Sequence, residues 1–407
     1  MNSGWKACDE TVRRLLRRCA NRVFQTGTLD HQCVLSHQTI GFPATNASLP
    51  EYYALERFAD RQEYHARARL YAGHGAIALS WDPSAGDAGQ LARVELKDPK
   101  AAAAILGQAL PWEIAQKAIQ QVKALQADQL PTTRALMDAW RYGKSAGGIP
   151  AEKADQISDA IRVIKETKRL NTEKHDALLR RVSADLFNDT KRIESLARPL
   201  ALLLEEPDPD EPESVFARLG LVKHPQTMLL HCTSEAFLSI NGQHIKAVQP
   251  YIGFAPTTLT EVRGGPIQCV ISIENLSSFN EAAFADNNCG LVAIYTAGHP
   301  SPSLLDAYQK ILRSLKPASV LHWGDVDLGG FRIASRIAER AAMEGYRLDL
   351  WGMCSTDYHG IGVTADPGKL TAIHRICERH GWTSEAQSLN EWGLFHEQEA
   401  MEWRSPK

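Results

Sequence analysis

The chain has 407 residues, with 44% hydrophobic and 23% charged residues, which excludes disordered, fibrous and collagen-like proteins. Its formal net charge of −3 argues against a simple basic coat for nucleic acid. The charge is unevenly divided, however. Residues 1–200 carry 29 basic and 23 acidic residues (net +6), whereas residues 201–407 carry 16 basic and 25 acidic residues (net −9). We therefore expect the two halves to have different functions.

The sequence also indicates the compartment. Its eight cysteines are scattered without a CxxC pair, the pattern of free thiols in a reducing cytosol and not of a disulfide framework or a zinc site. The first residues contain no apolar signal core, and no run reaches the roughly 18 apolar residues of a membrane span. We therefore expect a soluble cytoplasmic protein.

Residues 1–110 are predicted to form a winged-helix-like domain that binds DNA or a partner. Amphipathic helices are predicted at 9–24 and 50–72, followed by strands at 76–81 and 91–96 with a turn-rich connection between them. Helices followed by a long hairpin are the order of a winged helix, although a small α+β domain with a solvated basic surface also fits. The second helix carries the candidate DNA-binding residues Arg57, Arg61, Arg67 and Arg69.

Residues 111–204 are predicted to form a basic helical arm. Helical patterns cover residues 101–126, where Pro111 is expected to break the helix, and residues 155–170 and 174–204. The last of these includes Lys191 and Arg192, which could contact phosphates or belong to a solvated face. Residues 205–213 hold six acids and three prolines, so they are predicted to be a solvated linker.

Residues 214–407 alternate between predicted strands and helices. The clearest helices are 303–315 and 331–342. Short continuous apolar runs separated by helices favour an α/β domain with a parallel sheet covered on both faces. The predicted strands are residues 228–232, 267–273, 291–295, 319–323 and 348–352.

Two of these strands end in acidic residues. Glu274 follows the second strand, and Asp325 and Asp327 follow the fourth, with Gly329 and Gly330 beyond them. The carboxyl ends of neighbouring parallel strands meet at one edge of a sheet, so these carboxylates are expected to converge. Because three carboxylates repel one another, they stay ionised together only beside a cation, and their hard oxygens suit Mg²⁺ or Mn²⁺. Such a site suits phosphodiester chemistry.

The order of these motifs is specific. A DxD pair alone also occurs in haloacid dehalogenase phosphatases and Ca²⁺ loops, but the former need Thr after the second Asp, where this chain has Leu328, and the latter are not buried strands. A Glu after one strand, intervening αβ units and then DxDxxG together indicate a Toprim domain with a Rossmann-like parallel sheet.

Five segments of the chain carry a resemblance to a known family: residues 187–194, 273–279, 295–301, 323–330 and 397–399. On these segments the chain resembles the JetD subunit of the Wadjet anti-plasmid systems over about its last 220 residues, and in outline over its N-terminal half. JetD is similar to the A subunit of topoisomerase VI and to the meiotic recombination nuclease, with a winged-helix-plus-Toprim plan.

The resemblance implies a nucleoid-associated DNA endonuclease. It would act on circular double-stranded plasmid DNA as a homodimer, with an SMC-like ATPase, a kleisin and an accessory subunit, and with two Mg²⁺ or Mn²⁺ ions. Glu274 would be a general acid/base or metal ligand, and Asp325 and Asp327 metal ligands. Glu397 and Glu399 match a family motif and are predicted to support the metal site.

Two histidines flank the proposed site in the sequence. His299 is a candidate contact to the scissile phosphate, whereas His322 is expected to be a packed, hydrogen-bonded histidine. Two other functions remain open: a topoisomerase-like transesterase, and a non-catalytic DNA-binding subunit with a degenerate Toprim domain. The transesterase would need a nucleophilic tyrosine. The candidates nearest arginines are Tyr52, Tyr53 and Tyr142.

Overall fold

A computed structural model describes residues 3–82, 90–126, 131–170, 176–205, 212–285, 290–358 and 362–406, and the chain divides into two units, Met1–Ile161 and Arg162–Lys407. The helices that begin in the first unit are α1 Ser3–Thr26, α2 His31–His37, α3 Pro50–Tyr53, α4 Phe58–Gly73, α5 Pro99–Leu106, α6 Pro111–Ala124, α7 Pro131–Arg141 and α8 Ala154–Leu170. Its strands are β1 Gly41–Pro43, β2 Ile77–Asp82 and β3 Gln90–Leu96.

The first unit pairs helices with a small antiparallel sheet. The apolar face predicted for α1 is buried, and α1 packs on α4. The two predicted strands are confirmed as β2 and β3, which pair antiparallel, with β1 on the other edge of β3. The connecting residues 83–89 lie outside the described residues. Helices followed by this sheet are compatible with a winged helix, which stays a prediction.

Of two expectations for the helical arm, one is confirmed and one is wrong. The helical pattern over residues 101–126 is broken at Pro111, as predicted: α5 ends at Leu106 and Pro111 begins α6, because the first turn of a helix needs no donor from that residue. Residues 174–204 are not one helix: α9 covers Leu179–Phe187, and Asn188 ends it with φ +54°. The Ser183 hydroxyl donates to the Asp189 carbonyl at 2.5 Å and accepts the Ile193 amide at 3.1 Å, bonds that hold the interruption. Of the predicted linker, residues 206–211 lie outside the described residues.

The second unit is built around a mixed sheet. Its strands are β4 Ala177–Leu178, β5 Leu221–Val222, β6 Met228–His231, β7 Phe237–Ile240, β8 Gln243–Lys246, β9 Ile252–Phe254, β10 Leu259–Arg263, β11 Cys269–Ile273, β12 Leu291–Tyr295, β13 Ser319–Trp323, β14 Asp349–Leu350, β15 Val363–Thr364 and β16 Leu394–Phe395. Its further helices are α10 Ala197–Leu203, α11 Pro212–Arg218, α12 Leu276–Ala285, α13 Pro302–Leu315, α14 Leu328–Met343, α15 Pro367–His380 and α16 Thr383–Trp392.

The main sheet has six strands in the order β14-β13-β11-β12-β6-β9. The first four are parallel, and every residue of β11 is buried. The prediction of a parallel sheet is wrong for β6, which pairs antiparallel with β12, and β9 was not predicted. A buried strand is apolar on both faces in either direction, so its sequence does not reveal its direction. A separate antiparallel sheet, β10-β7-β8, lies between β6 and β11 along the chain.

Candidate metal centre

The first two candidate residues meet where β11 and β13 end. These strands are parallel neighbours, with Ile273 opposite Trp323, so the residues that follow them lie at one edge. The Glu274 amide donates to the Trp323 carbonyl at 3.0 Å. The Asp325 amide donates to Glu274 Oε2 at 3.3 Å. The structure therefore brings together Glu274 and Asp325, which are 51 residues apart in the sequence.

A C-terminal segment completes this edge. Val326 and His396 exchange backbone hydrogen bonds of 2.8 and 3.2 Å, which fixes residues 397–399 beside the end of β13. Within this segment, the Gln398 amide donates to Asp325 Oδ1 at 2.7 Å. The Gln398 side chain is fully buried and connects both strand ends: its Oε1 accepts the Asn275 amide at 2.8 Å, and its Nε2 donates to the Trp323 carbonyl at 3.2 Å.

Three side chains form what we call the carboxylate cluster: Asp325, Glu397 and Glu399. Each offers a carboxylate oxygen, and these oxygens all lie within 4.8 Å of one another. Asp325 is half-buried, while the two glutamates are exposed, and the Asn275 side-chain amide donates to Glu399 Oε1. Of the residues predicted from the strand ends, this cluster contains Asp325 but not Glu274 or Asp327.

The electrostatics of the cluster fit a divalent cation. Burial raises the pKa of Asp325 to about 6; the Gln398 amide opposes this rise, and the charges of Glu397, Asp327 and Glu399 add to it. A carboxylate whose charge is penalised by burial and by like charges is stabilised by a cation. Mg²⁺ and Mn²⁺ prefer carboxylate oxygens as ligands, and exposed carboxylates suit them because these ions keep part of their water shell. The residues present therefore fit either metal.

Asp327 has a different local role. Its Oδ1 accepts the Gly330 amide at 2.8 Å, so this side chain caps the N-terminus of α14. Gly330 is required here for close approach, because an added Cβ would lie 2.1 Å from the Asp325 carbonyl oxygen. Gly324 is similarly constrained, with Glu274 Oε2 at 2.6 Å from the Cβ position. The two glycines let the turn pass close under the carboxylates.

The two histidines lie outside the carboxylate cluster. His322 is fully buried, and its Nδ1 is 2.9 Å from Ser272 Oγ. Burial lowers the pKa of His322 to about 3, so it is neutral at physiological pH, as a packed core histidine should be. His299 instead lines a cavity rich in arginine, together with Arg332 and Arg336.

The candidate DNA-binding residues occupy different surroundings. Arg67 makes an ion pair of 2.8 Å with Asp9 and has only 13% of its side chain exposed, so it is bound within its own unit. The remaining candidates lie nearer the surface: Arg57, Arg61, Arg69 and Lys191 are exposed, and Arg192 is half-buried. These five are better placed than Arg67 to meet a ligand.

The candidate tyrosine nucleophiles differ in exposure. Tyr52 is buried and its hydroxyl is 2.9 Å from His65 Nε2, while burial raises its pKa. The Tyr53 hydroxyl donates to the Ala44 carbonyl at 2.6 Å. Tyr142 is 51% exposed. Burial and a raised pKa argue against Tyr52 as the nucleophile, while Tyr142 is the most exposed of the three candidates.

Sequence reasoning missed two residues of the site, Gln398 and Asn275. Gln398 lies between the two predicted supporting glutamates, and Asn275 directly follows Glu274, so their positions in the motifs were the available signal. Their roles depend on the pairing of Val326 with His396, which no local pattern indicates.

The comparisons agree with the sequence resemblance over part of the chain. Residues 220–344 match the family model described as Wadjet protein JetD, C-terminal, and this match includes Glu274, Asp325 and Asp327 but ends before Glu397. No curated protein matches the chain. Among the described residues, no helix combines the length and apolar character needed to cross a membrane.

Proposed function

Because the match over residues 220–344 supports its identification as a JetD subunit, we propose that this chain is the metal-dependent DNA endonuclease of a Wadjet-type plasmid-defence system. Its substrate is circular double-stranded DNA, which it cuts by phosphodiester hydrolysis. Its partners are an SMC-like ATPase, a kleisin and an accessory subunit, and it works as a homodimer whose two sites address two strands. Its catalytic domain is a Toprim domain.

The observation that carries this proposal is the carboxylate cluster. Three carboxylates within 4.8 Å, one of them half-buried, are costly without a cation and serve no evident packing purpose. A divalent cation bound there would polarise a phosphoryl oxygen and lower the pKa of a water molecule. Asp325, Glu397 and Glu399 would hold the ion.

Two further carboxylates have supporting roles in the proposal. Glu274, whose Oε2 accepts the Asp325 amide, would take a proton from the attacking water. If the site takes two ions, the remaining ligands would be Glu274 and Asp327, whose second carboxylate oxygen is not the one that caps α14.

The basic residues of the chain would bind the DNA backbone. Exposed arginines and lysines neutralise phosphates without reading sequence. We assign this contact to Arg57, Arg61, Arg69, Lys191 and Arg192, and expect Arg67 to act by holding its helix in place.

The test is a plasmid-cleavage assay with the reconstituted partner complex, ATP and Mg²⁺ or Mn²⁺. Wild type should linearise circular plasmid, whereas Asp325→Ala and Glu274→Gln should lose at least 100-fold in rate, as expected when a charge-stabilising group is removed. Glu235→Gln is the matched control, because Glu235 is an exposed carboxylate with 80% of its side chain accessible. Its rate should equal that of wild type.

Three results would overturn the proposal. Equal cleavage by wild type, Asp325→Ala and Glu274→Gln would show that the cleavage does not take place at this site. Protein covalently attached to the cut ends would instead favour the transesterase, and absence of cleavage by the complete complex would favour the non-catalytic DNA-binding subunit.

A further inference from the structure

A cavity of about 540 Å³ in the second unit is lined by five arginines. The volume is that of a small-molecule pocket. The arginines come from three helices: Arg332, Arg336 and Arg340 from α14, Arg218 from α11 and Arg379 from α15. None of these residues belongs to the carboxylate cluster.

Arginines outnumber carboxylates in the part of the lining that the structure describes. Two acidic side chains, Glu205 and Glu339, line it there, against the five arginines. Glu339 is 4.0 Å from Arg379 and more than half exposed, so solvent weakens that pair. Among the described residues of the lining, arginines therefore exceed carboxylates by three.

The arginines of α14 are arranged at a spacing that disfavours the helix without a ligand. Residues 332, 336 and 340 are four apart, so their side chains share one helix face, and like charges at this spacing repel. Arg336 is half-buried, and within the described part of the chain its guanidinium makes no hydrogen bond or ion pair. Burial lowers the pKa of Arg336 to about 10, and the charges of Arg340 and Arg218 act in the same direction while Glu339 and Asp176 oppose them.

The side chains also indicate the chemistry of the ligand. Guanidinium groups bind phosphate with two parallel hydrogen bonds, which makes arginine the preferred residue for such anions. Apart from the arginines and the two glutamates, the described residues of the lining are aliphatic or hydroxylic except for His299, whose imidazole is the one ring among them. The arginines dominate the lining, so recognition would depend chiefly on phosphate groups.

We propose that this cavity binds a compact polyphosphate, a molecule with two or more linked phosphate groups held by Arg332, Arg336 and Arg340 with Arg218 and Arg379. The ligand could be an inorganic polyphosphate or the phosphate chain of a nucleotide. Its binding does not depend on the nuclease function proposed above.

The experiment is isothermal titration calorimetry on the full-length protein in EDTA, so that no divalent cation occupies the carboxylate cluster. Sodium tripolyphosphate, ATP and adenosine are titrated separately. We expect tripolyphosphate and ATP to bind with similar affinity and adenosine not to bind. Arg336→Gln and Arg340→Gln should each weaken tripolyphosphate binding by roughly 10-fold to 100-fold, the effect of removing a charge-assisted hydrogen-bond pair.

The matched control is Arg263→Gln, which removes an exposed arginine of the same unit that is paired with Glu261 outside the cavity. It should bind tripolyphosphate as wild type does, and circular dichroism should show all three variants folded. The proposal is overturned if tripolyphosphate does not bind to wild type, if ATP binds while tripolyphosphate does not, or if Arg263→Gln weakens binding as much as Arg336→Gln.

Discussion

The backbone amide of Gln398 donates a hydrogen bond of 2.7 Å to Asp325 Oδ1, although the two residues are 73 positions apart. This bond fixes one oxygen of the half-buried carboxylate and places Glu397 and Glu399, the neighbours of Gln398, on either side of it. The Gln398 side chain reinforces the arrangement through its bonds to Asn275 and Trp323. The C-terminal segment is therefore part of the candidate site and not an appendage.

Gln398→Ala should destabilise the second unit and weaken the site. The change leaves the Asn275 amide without its acceptor and removes one of two donors to the Trp323 carbonyl, which keeps the Glu274 amide, so the cost is about 1–3 kcal/mol in the free energy of unfolding. It also removes the side-chain bonds that hold the segment carrying Glu397 and Glu399, although the backbone bonds remain, so the affinity for Mn²⁺ should fall. Urea unfolding and Mn²⁺ titration measure the two effects.

The control for this change is Gln243→Ala, which truncates an exposed glutamine on β8. Its unfolding free energy should stay within about 0.5 kcal/mol of wild type. If Gln398→Ala is as mild as this control, then the side chain of Gln398 does not hold the site together.

The metal ligands can be separated by comparing three conservative variants. Glu397→Gln and Glu399→Gln each remove one charge of the carboxylate cluster and should weaken Mn²⁺ binding by about 10-fold or more. Asp327→Asn should have a smaller effect on Mn²⁺, because Asn caps a helix about as well as Asp and the cap on α14 is kept. Titration of Mn²⁺ by electron paramagnetic resonance gives the three affinities. An equal loss in Asp327→Asn would make Asp327 a metal ligand, as the sequence alone suggests.

The strand ends of the site follow from the sequence, but its C-terminal part does not. Glu274 and Asp325 could be placed together because continuous apolar runs identified β11 and β13, and the ends of parallel neighbours share an edge. The position of Glu399 depends on a long-range backbone pairing, that of Val326 with His396. Such pairings are set by tertiary packing and leave no periodic pattern in the chain.

Local patterns were also insufficient in two other places. The direction of β6 is set by its neighbours in the sheet, since an apolar run looks the same in either direction. The three arginines of α14 are spaced by four residues, but this spacing does not reveal that Arg218 and Arg379, from two other helices, line the same cavity.

Asp325→Asn should stabilise the metal-free protein at neutral pH. The pKa of Asp325 is raised above that of an unfolded Asp, so the folded state holds its proton more tightly, and stability from this group falls as pH rises from about 4 to about 6. At pH 7.5 in EDTA the neutral variant should be more stable by about 1 kcal/mol, a value discounted for the partial exposure of the site. Thermal unfolding measures the difference.

Addition of Mn²⁺ should reverse the order of these two proteins. Wild type should gain thermal stability from the ion, since a ligand that binds only the folded state stabilises it, and Asp325→Asn should gain little. A rise in stability of equal size in both proteins would place the ion elsewhere.

His322 should make the second unit sensitive to mild acid. Burial lowers its pKa to about 3, while an unfolded histidine titrates near 6.5. Below pH 6.5 the unfolded chain therefore binds a proton at this residue that the folded state does not bind. Stability therefore falls as pH drops, and between pH 6.5 and 5 the loss from this residue is up to about 2 kcal/mol. In urea unfolding at the two pH values, His322→Gln should lose less stability than wild type, whereas His224→Gln, which changes an exposed histidine, should behave as wild type.

Gly330→Ala tests whether the close approach of the turn positions the carboxylate cluster. The added Cβ would lie 2.1 Å from the Asp325 carbonyl oxygen and 3.0 Å from the Asp325 amide nitrogen, and both are backbone atoms that cannot rotate away. Either α14 or the end of β13 must move, so we expect a loss of about 1–3 kcal/mol or more in unfolding free energy, together with weaker Mn²⁺ binding. Gly265→Ala is the control, because no atom lies within 4 Å of its Cβ position. If Gly330→Ala keeps the Mn²⁺ affinity of this control, then the site tolerates movement of the Asp325 backbone and its geometry is set by the C-terminal segment alone.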